Sequence, residues 1–128
     1  MDYPPKVRAA TRSGRFDLQA EATRLGRDWL VCIWGGESPH IGAVAMAAPR
    51  PSLADPALTS ATASVFAYLG HKEDDLAKSA AEALCSALNA KVVVTAGMHW
   101  DDISAQGIQQ VKANALALIE ELQGKMKD

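Results

Sequence analysis

Cysteine is scarce in this chain, and the scarcity removes a class of function. The two cysteines, Cys32 and Cys85, lie in separate apolar runs. That is too few for a disulfide scaffold, and no Cys-x-x-Cys pair offers a zinc knuckle, so both read as buried free thiols of a reducing compartment. Charge of one sign is missing too: 13 basic residues face 15 acidic ones, a net −2. Nucleic acid and anionic membranes are therefore poor candidates for the main partner. No apolar run approaches a membrane span, and the opening residues MDYPPKVRAATRSGR carry no apolar signal region, so a cytoplasmic, soluble chain is the expectation. His-Glu-x-x-His, P-loop, Gly-x-Ser-x-Gly and dinucleotide fingerprints are absent. A hydrolytic triad would have to be assembled by arbitrary choice among serines.

What is there is a hydrophobic content of 48% over 128 residues, enough for one domain with a real core. Residues 1–14, rich in Pro, Arg, Ser and Thr, read as a flexible arm, leaving residues 15–128 as a single domain. From Phe16 the apolar residues alternate (Phe16, Leu18, Ala20, Ala22), as on a strand with one wet face. Gly26-Arg27-Asp28 is turn chemistry, and the following Trp29–Trp34 run, apolar on both sides, completes an antiparallel hairpin. Ala43–Ala48 reads as a third strand. PRPSLADP is a proline-rich connection unsuited to a helix or a central strand. Ser60–Leu69 alternates again, with Phe66 and Tyr68 on the face away from Ala61, Ala63 and Val65.

The period then changes. Leu76, Ala77, Ala80, Ala81, Leu84, Ala87 and Leu88 follow helical spacing, KVVVTAG is a short buried strand, and a last helix aligns Ile108, Val111, Ala115, Leu118, Ile119 and Leu122. The order β-β-β-β-α-β-α predicts an α+β fold, an antiparallel sheet with both helices on one face. The two-sided apolar run Trp29–Trp34 then calls for a cover on the other face, and a homodimer supplies it.

Each of the three histidines stands beside glycine near a strand end: His40 in SPHIGA, His71 in YLGHKED, His99 in AGMHWDD. Loops at strand exits are where ligands are commonly met. In GGESPHIGAVA the glycines Gly35, Gly36 and Gly42 would let backbone approach a ligand that His40 contacts; a tight turn with an incidental histidine is the plainer alternative. Gly70-His71-Lys72 precedes a helix whose free N–H groups favour an anion, although Glu73, Asp74 and Asp75 already complement the dipole. Arg50, held between two prolines, is a phosphate clamp or an exposed surface arginine. His99 and Asp101 share a face of an extended segment, as metal ligands or as an Asp-oriented imidazole. Trp100 would stack on a planar ring or serve an interface.

In this order, GGESPHIGAVA, PRPSL, GHKEDDLAKSAAEAL and TAGMHWDDISAQGIQQV resemble the LpdD-like prenylated-flavin chaperone family, formerly described as a small component of gallate and hydroxyarylic acid decarboxylases. The resemblance spans Phe16 to Leu122. It implies a homodimer related in fold to proteasome assembly chaperones, a non-catalytic protein that binds reduced prenylated FMN (with FMN as a second candidate). Its implied partners are a UbiX-type flavin prenyltransferase and a UbiD-type apo-decarboxylase. The site residues carried over are Gly36, His40, Ile41, Gly42, Arg50, Gly70, His71, Lys72, Glu73, Gly97, His99 and Asp101. Trp100 departs from the aliphatic residue frequent in the family at that position. The alternatives are an accessory decarboxylase subunit with catalytic groups, a protein-assembly factor without a small ligand, and a metal enzyme using His40, His99 and Asp101.

Overall fold

The computed structural model describes residues 2–68 and 73–127. Its elements are β1 (Lys6–Ala10), β2 (Leu18–Leu25), β3 (Asp28–Gly36), β4 (Ala43–Pro51), β5 (Thr59–Ala67), α1 (Asp74–Leu88), β6 (Val92–His99) and α2 (Ala105–Met126). The strands form one sheet in the spatial order β1-β2-β3-β6-β4-β5. This is the α+β architecture expected, with two differences.

The first is β1. Part of the expected flexible arm, Lys6–Ala10, pairs antiparallel with Gln19–Thr23 as an edge strand. Its sequence, KVRAA, is only five residues long, with Val7 and Ala9 turned to the core, and its outer backbone groups are satisfied from far along the chain. The Ala10 N–H donates to Glu121 Oε2 at 3.1 Å, and Lys125 Nζ donates to the Arg8 carbonyl at 2.6 Å. The turn into β2 is fixed by Asp17, which accepts from Thr11 Oγ1 and from the Ser13 and Gly14 N–H groups. The Ser13 N–H is the main reason that the Asp17 carboxyl is held below its usual range, against an opposing effect of burial. Asn114, the one buried polar residue among those described, ties the same turn to α2: its Nδ2 donates to the Phe16 carbonyl at 2.7 Å, and its Oδ1 accepts from Ser13 Oγ.

The second difference is at the centre of the sheet. β6 inserts between β3 and β4, parallel to β3 and antiparallel to β4, whereas all other pairs are antiparallel as expected.

Residues paired across neighbouring strands point to one face, and here they pack the core in rows. Ala20, Ile33, Ala96 and Ala43 form one row and Ala22, Val31, Val94 and Ala45 the next, all essentially without exposure. α1 covers β4, β5 and β6, and α2 covers β1 and β2. α1 buries Ala77, Ala80, Ala81, Leu84 and Cys85, and the small residues allow its axis to approach the alanine-rich β4 closely. α2 buries Ala115, Leu118, Ile119, Leu122 and Met126. Ile108, expected on that face, is exposed instead.

The proline-rich connection begins later than expected, because β4 continues through Pro49-Arg50-Pro51 against β5. The Ser52 N–H donates to the Leu58 carbonyl at 2.8 Å. By alternation the nitrogens of Pro49 and Pro51 face the other side, where β6 pairs only as far as Ala47, so no ladder bond is lost.

Trp29–Trp34 alternates between the faces: Trp29, Val31 and Ile33 are buried, while Leu30 and Cys32 are exposed and Trp34 is half-buried. Cys85 is buried as expected; Cys32 is not, because it points to the uncovered face. Among the described residues no helix is long and apolar enough to cross a membrane.

Candidate functional site

The parallel pairing of β3 and β6 decides where the chemistry gathers. Both strands end at the same edge of the sheet, with Gly36 paired to His99. The start of β4, the end of β5 and the start of α1 meet there as well: the Gly42 N–H donates to the Ala96 carbonyl and the Tyr68 N–H to the Gly42 carbonyl, each at 2.9 Å.

Two carboxylate–imidazole pairs occupy this edge. His40 Nδ1 lies 2.8 Å from the Ser38 carbonyl, and its Nε2 lies 3.0 Å from Glu73 Oε1. Both ring nitrogens thus face oxygens, which fixes the orientation of the ring. Glu73, the residue that precedes the first turn of α1, is largely buried and also accepts from the Met98 N–H at 3.3 Å. It thereby ties α1 to β6. The second pair is open to solvent: His99 Nε2 lies 3.0 Å from Asp101 Oδ1, with the side chains 53% and 76% exposed. Glu37 braces it, since its N–H donates to the His99 carbonyl at 2.7 Å and its Oε2 accepts from the Asp101 N–H at 2.6 Å.

The glycines at this edge are required by the protein itself. Gly36 adopts φ +81°, and a methyl there would overlap the His99 carbonyl. The space beside Gly97 is filled by the His40 carbonyl, and that beside Gly42 by the Glu73 carboxylate. The expectation that Gly42 opens the backbone to a ligand is therefore corrected: its missing side chain makes room for Glu73.

Of the sequence candidates, the structure brings together Gly36, His40, Gly42, Glu73, Gly97, His99 and Asp101. Ile41 is on the same loop and exposed. Gly70, His71 and Lys72 lie outside the described residues. Arg50 is not part of the cluster within one chain. It sits eight residues along β4 from Gly42, about 26 Å at ~3.3 Å per residue, where its Nε donates to Thr62 Oγ1 at 2.8 Å and a terminal nitrogen to the Pro51 carbonyl. His40 turns to Glu73 and His99 to Asp101, so the proposed trio of metal ligands does not converge; among the described residues no group of three or more potential ligands is gathered. Trp100 is not available to stack on a ligand. It is 5% exposed, donates from Nε1 to the Arg15 carbonyl and meets Phe16 edge to face. Glu37 went unremarked in the sequence, where nothing distinguishes it from any loop carboxylate.

The uncovered sheet face adjoins this edge. It carries Leu30, Cys32 and Trp34 of β3, Val44 and Met46 of β4, Phe66 of β5 and Val93 of β6. Phe66 and Tyr68 pack edge to face at 5.5 Å, both exposed.

A solved structure with a similar fold is titled "Crystal Structure of a Novel Chaperone Complex for Yeast 20S Proteasome Assembly"; it matches with a TM-score of 0.58 over 96% of this chain and 94% of that one, at 15% identity. No curated protein matches the chain. A family model described as "Prenylated flavin chaperone LpdD-like domain" matches residues 12–127. The chain belongs to the LpdD-like prenylated flavin chaperone family.

Proposed function

We propose that this protein binds reduced prenylated FMN and passes it from a UbiX-type flavin prenyltransferase to a UbiD-type apo-decarboxylase, without catalysing a reaction itself. The single observation that carries the reading is family membership across residues 12–127. The donor set at the strand ends fits such a ligand: the exposed His99 imidazole, held at Nε2 by Asp101, and the half-buried Trp34 indole offer a hydrogen bond and an aromatic surface. When bound, the prenylated flavin is the group that supplies electron-sink chemistry to its client enzyme. This chain's residues bind and shield it. Glu37 and Asp101 hold the His99 ring in one orientation, while the openness of that pair suits a site that must release its cargo.

The uncovered face is the proposed homodimer interface. Leu30, Met46 and Phe66 form its exposed apolar centre, with Lys6, Arg8 and Glu21 beside it on β1 and β2 and uncharged Thr62 and Ser64 on β5.

The test is anaerobic incubation with reduced prenylated FMN, followed by size exclusion and spectra of the protein peak. Stoichiometric flavin in that peak and restored activity on transfer to apo-decarboxylase are expected. A protein peak free of flavin overturns the reading, as does decarboxylation by the purified chain alone.

A further inference from the structure

Strand β1 also borders an open cleft. The cleft, of about 520 Å³, is lined by Arg8, Arg12, Gln19, Glu21, Trp34 and Lys125, together with the small side chains between them. That volume is in the range of small-molecule sites. Cross-strand pairing places Ala10, Gln19, Trp34 and Gly97 in one row, the row before the paired strand ends Gly36 and His99 on the same face. Along β3, Trp34 is two residues from Gly36, about 7 Å.

The charges in the cleft are unevenly matched. Glu21 is engaged twice, by Lys6 at 3.0 Å and by Arg8 Nε at 2.8 Å. Arg8 uses only Nε for that bond, which leaves its two terminal nitrogens for another acceptor. Lys125 is shared with Glu121 at 3.6 Å. Arg12 is exposed and makes no ion pair with any described residue. The indole N–H of Trp34 likewise has no acceptor among the described residues. An aromatic plane beside two guanidinium groups with spare donors suits a planar ligand that carries an anionic tail: the ring stacks on the indole, and the tail is clamped by arginine.

We infer that the phosphate of the flavin is held by Arg8 and Arg12 at the β1 edge, with the ring lying against Trp34, and that Arg50 takes no part. This rests on the cofactor reading above and adds the location and the residues. Arg50 is excluded by distance, because it lies at the far end of β4 and is committed to Thr62 and Pro51. The Glu21 carboxylate does not repel the phosphate, since Lys6 and Arg8 neutralise it.

Reduced prenylated FMN and its dephosphorylated, riboflavin-level counterpart are titrated anaerobically against the full chain and against Arg12→Ala, Arg8→Gln, Trp34→Leu, Arg50→Ala and Lys72→Ala, with melting curves to confirm folding. Arg12→Ala and Arg8→Gln are expected to weaken the phosphorylated ligand about ten-fold or more and leave the riboflavin-level ligand unchanged. Trp34→Leu weakens both alike, and Arg50→Ala changes neither. Arg12 is exposed, so its variant tests the idea even where Arg8→Gln perturbs the edge strand. Unchanged FMN-level affinity in the Arg12 and Arg8 variants overturns the inference, as does a phosphate-dependent loss confined to Arg50→Ala or Lys72→Ala. A wild-type chain that binds neither ligand overturns the cofactor reading itself, an outcome separate from either of these.

Discussion

The two faces of the sheet are built from similar residues and behave in opposite ways. On the helix side, Leu18, Val31, Val94, Leu84 and Leu118 are fully buried, and small alanines between them let α1 and α2 settle close. On the other side, Met46 and Phe66 are 60% and 65% exposed, and Leu30 and Cys32 stand in solvent. The difference lies in what covers each face. Apolar area is worth roughly 25 cal/mol per Å² only when water is removed from it. The first face has been used by folding; the second is still available for association.

The comparison breaks most sharply at the covered face. Leu118→Ala is expected to cost about 2–5 kcal/mol, since the side chain is fully buried and its loss leaves a cavity beneath α2. Phe66→Ala on the open face should leave the monomer's melting temperature nearly unchanged. Paired thermal melts of these two variants test the contrast, and a comparable loss in both would show that Phe66 belongs to the folding core.

A smaller effect is expected where the two faces meet, at the strand edge. Gly42→Ala forces the Glu73 carboxylate aside and should cost about 1–3 kcal/mol as overpacking does. Glu73→Ala in the same background should recover part of that loss, because the obstructing side chain is then absent. A double-mutant cycle by chemical denaturation checks this, and strictly additive losses would mean that the two residues do not share the space.

The open face is sharpened by charge. Met46→Lys and Phe66→Lys should each raise the dissociation constant of self-association at least ten-fold, or about 1.4 kcal/mol, with the monomer's stability little changed. Sedimentation across micromolar concentrations measures it; association of the wild type that is unaffected by either change places the interface elsewhere.

The smallest effect is at the β1–β2 turn. The Asp17 carboxyl titrates below its usual range because it accepts from the Ser13 N–H and then from Gly14 and Thr11. A group whose folded pKa is depressed contributes stability above its unfolded value near 3.8, and that contribution is lost as pH falls through the lower, folded value. The protection of the Ser13 and Gly14 amides, measured as exchange relative to the intrinsic rate at each pH, should therefore fall on acidification below about pH 4, the ordinary aspartate range. In Asp17→Asn that protection should be lower throughout and lose most of its pH dependence. An unchanged pH profile in the variant would assign the acid response to another carboxylate.

Much of this protein was legible in its residues, for identifiable reasons. The 2-residue period of Leu18, Ala20 and Ala22 and the helical period of Leu118, Ile119 and Leu122 arise from local backbone geometry, so they survive in the sequence whatever the tertiary arrangement. The glycines and histidines of GGESPHIGAVA and AGMHWDD marked two loops that meet at one end of the sheet, and a positive φ such as that of Gly36 needs glycine wherever the chain places it. The roles of those glycines were not legible. Whether the space beside Gly42 holds a ligand or Glu73 depends on a residue 31 positions away.

Local periodicity and an ordered set of motifs were enough for the α+β class, the element types after Phe16 and the family. Three matters were left to long-range contacts. β1 joined the sheet through its ladder with β2, the packing of Val7 and Ala9 on the core, and the bonds of Glu121 and Lys125 to its outer edge. Arg50 was separated from the other candidates by nearly the whole length of β4, since nearness in sequence along an extended strand means distance in space. And β6 was set parallel to β3, which brings the exits of both strands to one end of the sheet, with His99 closing β6 and His40 on the loop after β3. Strand pairing is a contact between residues some sixty positions apart, chosen by the fit of Trp29, Val31 and Ile33 to Val92, Val94 and Ala96, and no local pattern records which neighbour a buried strand will take.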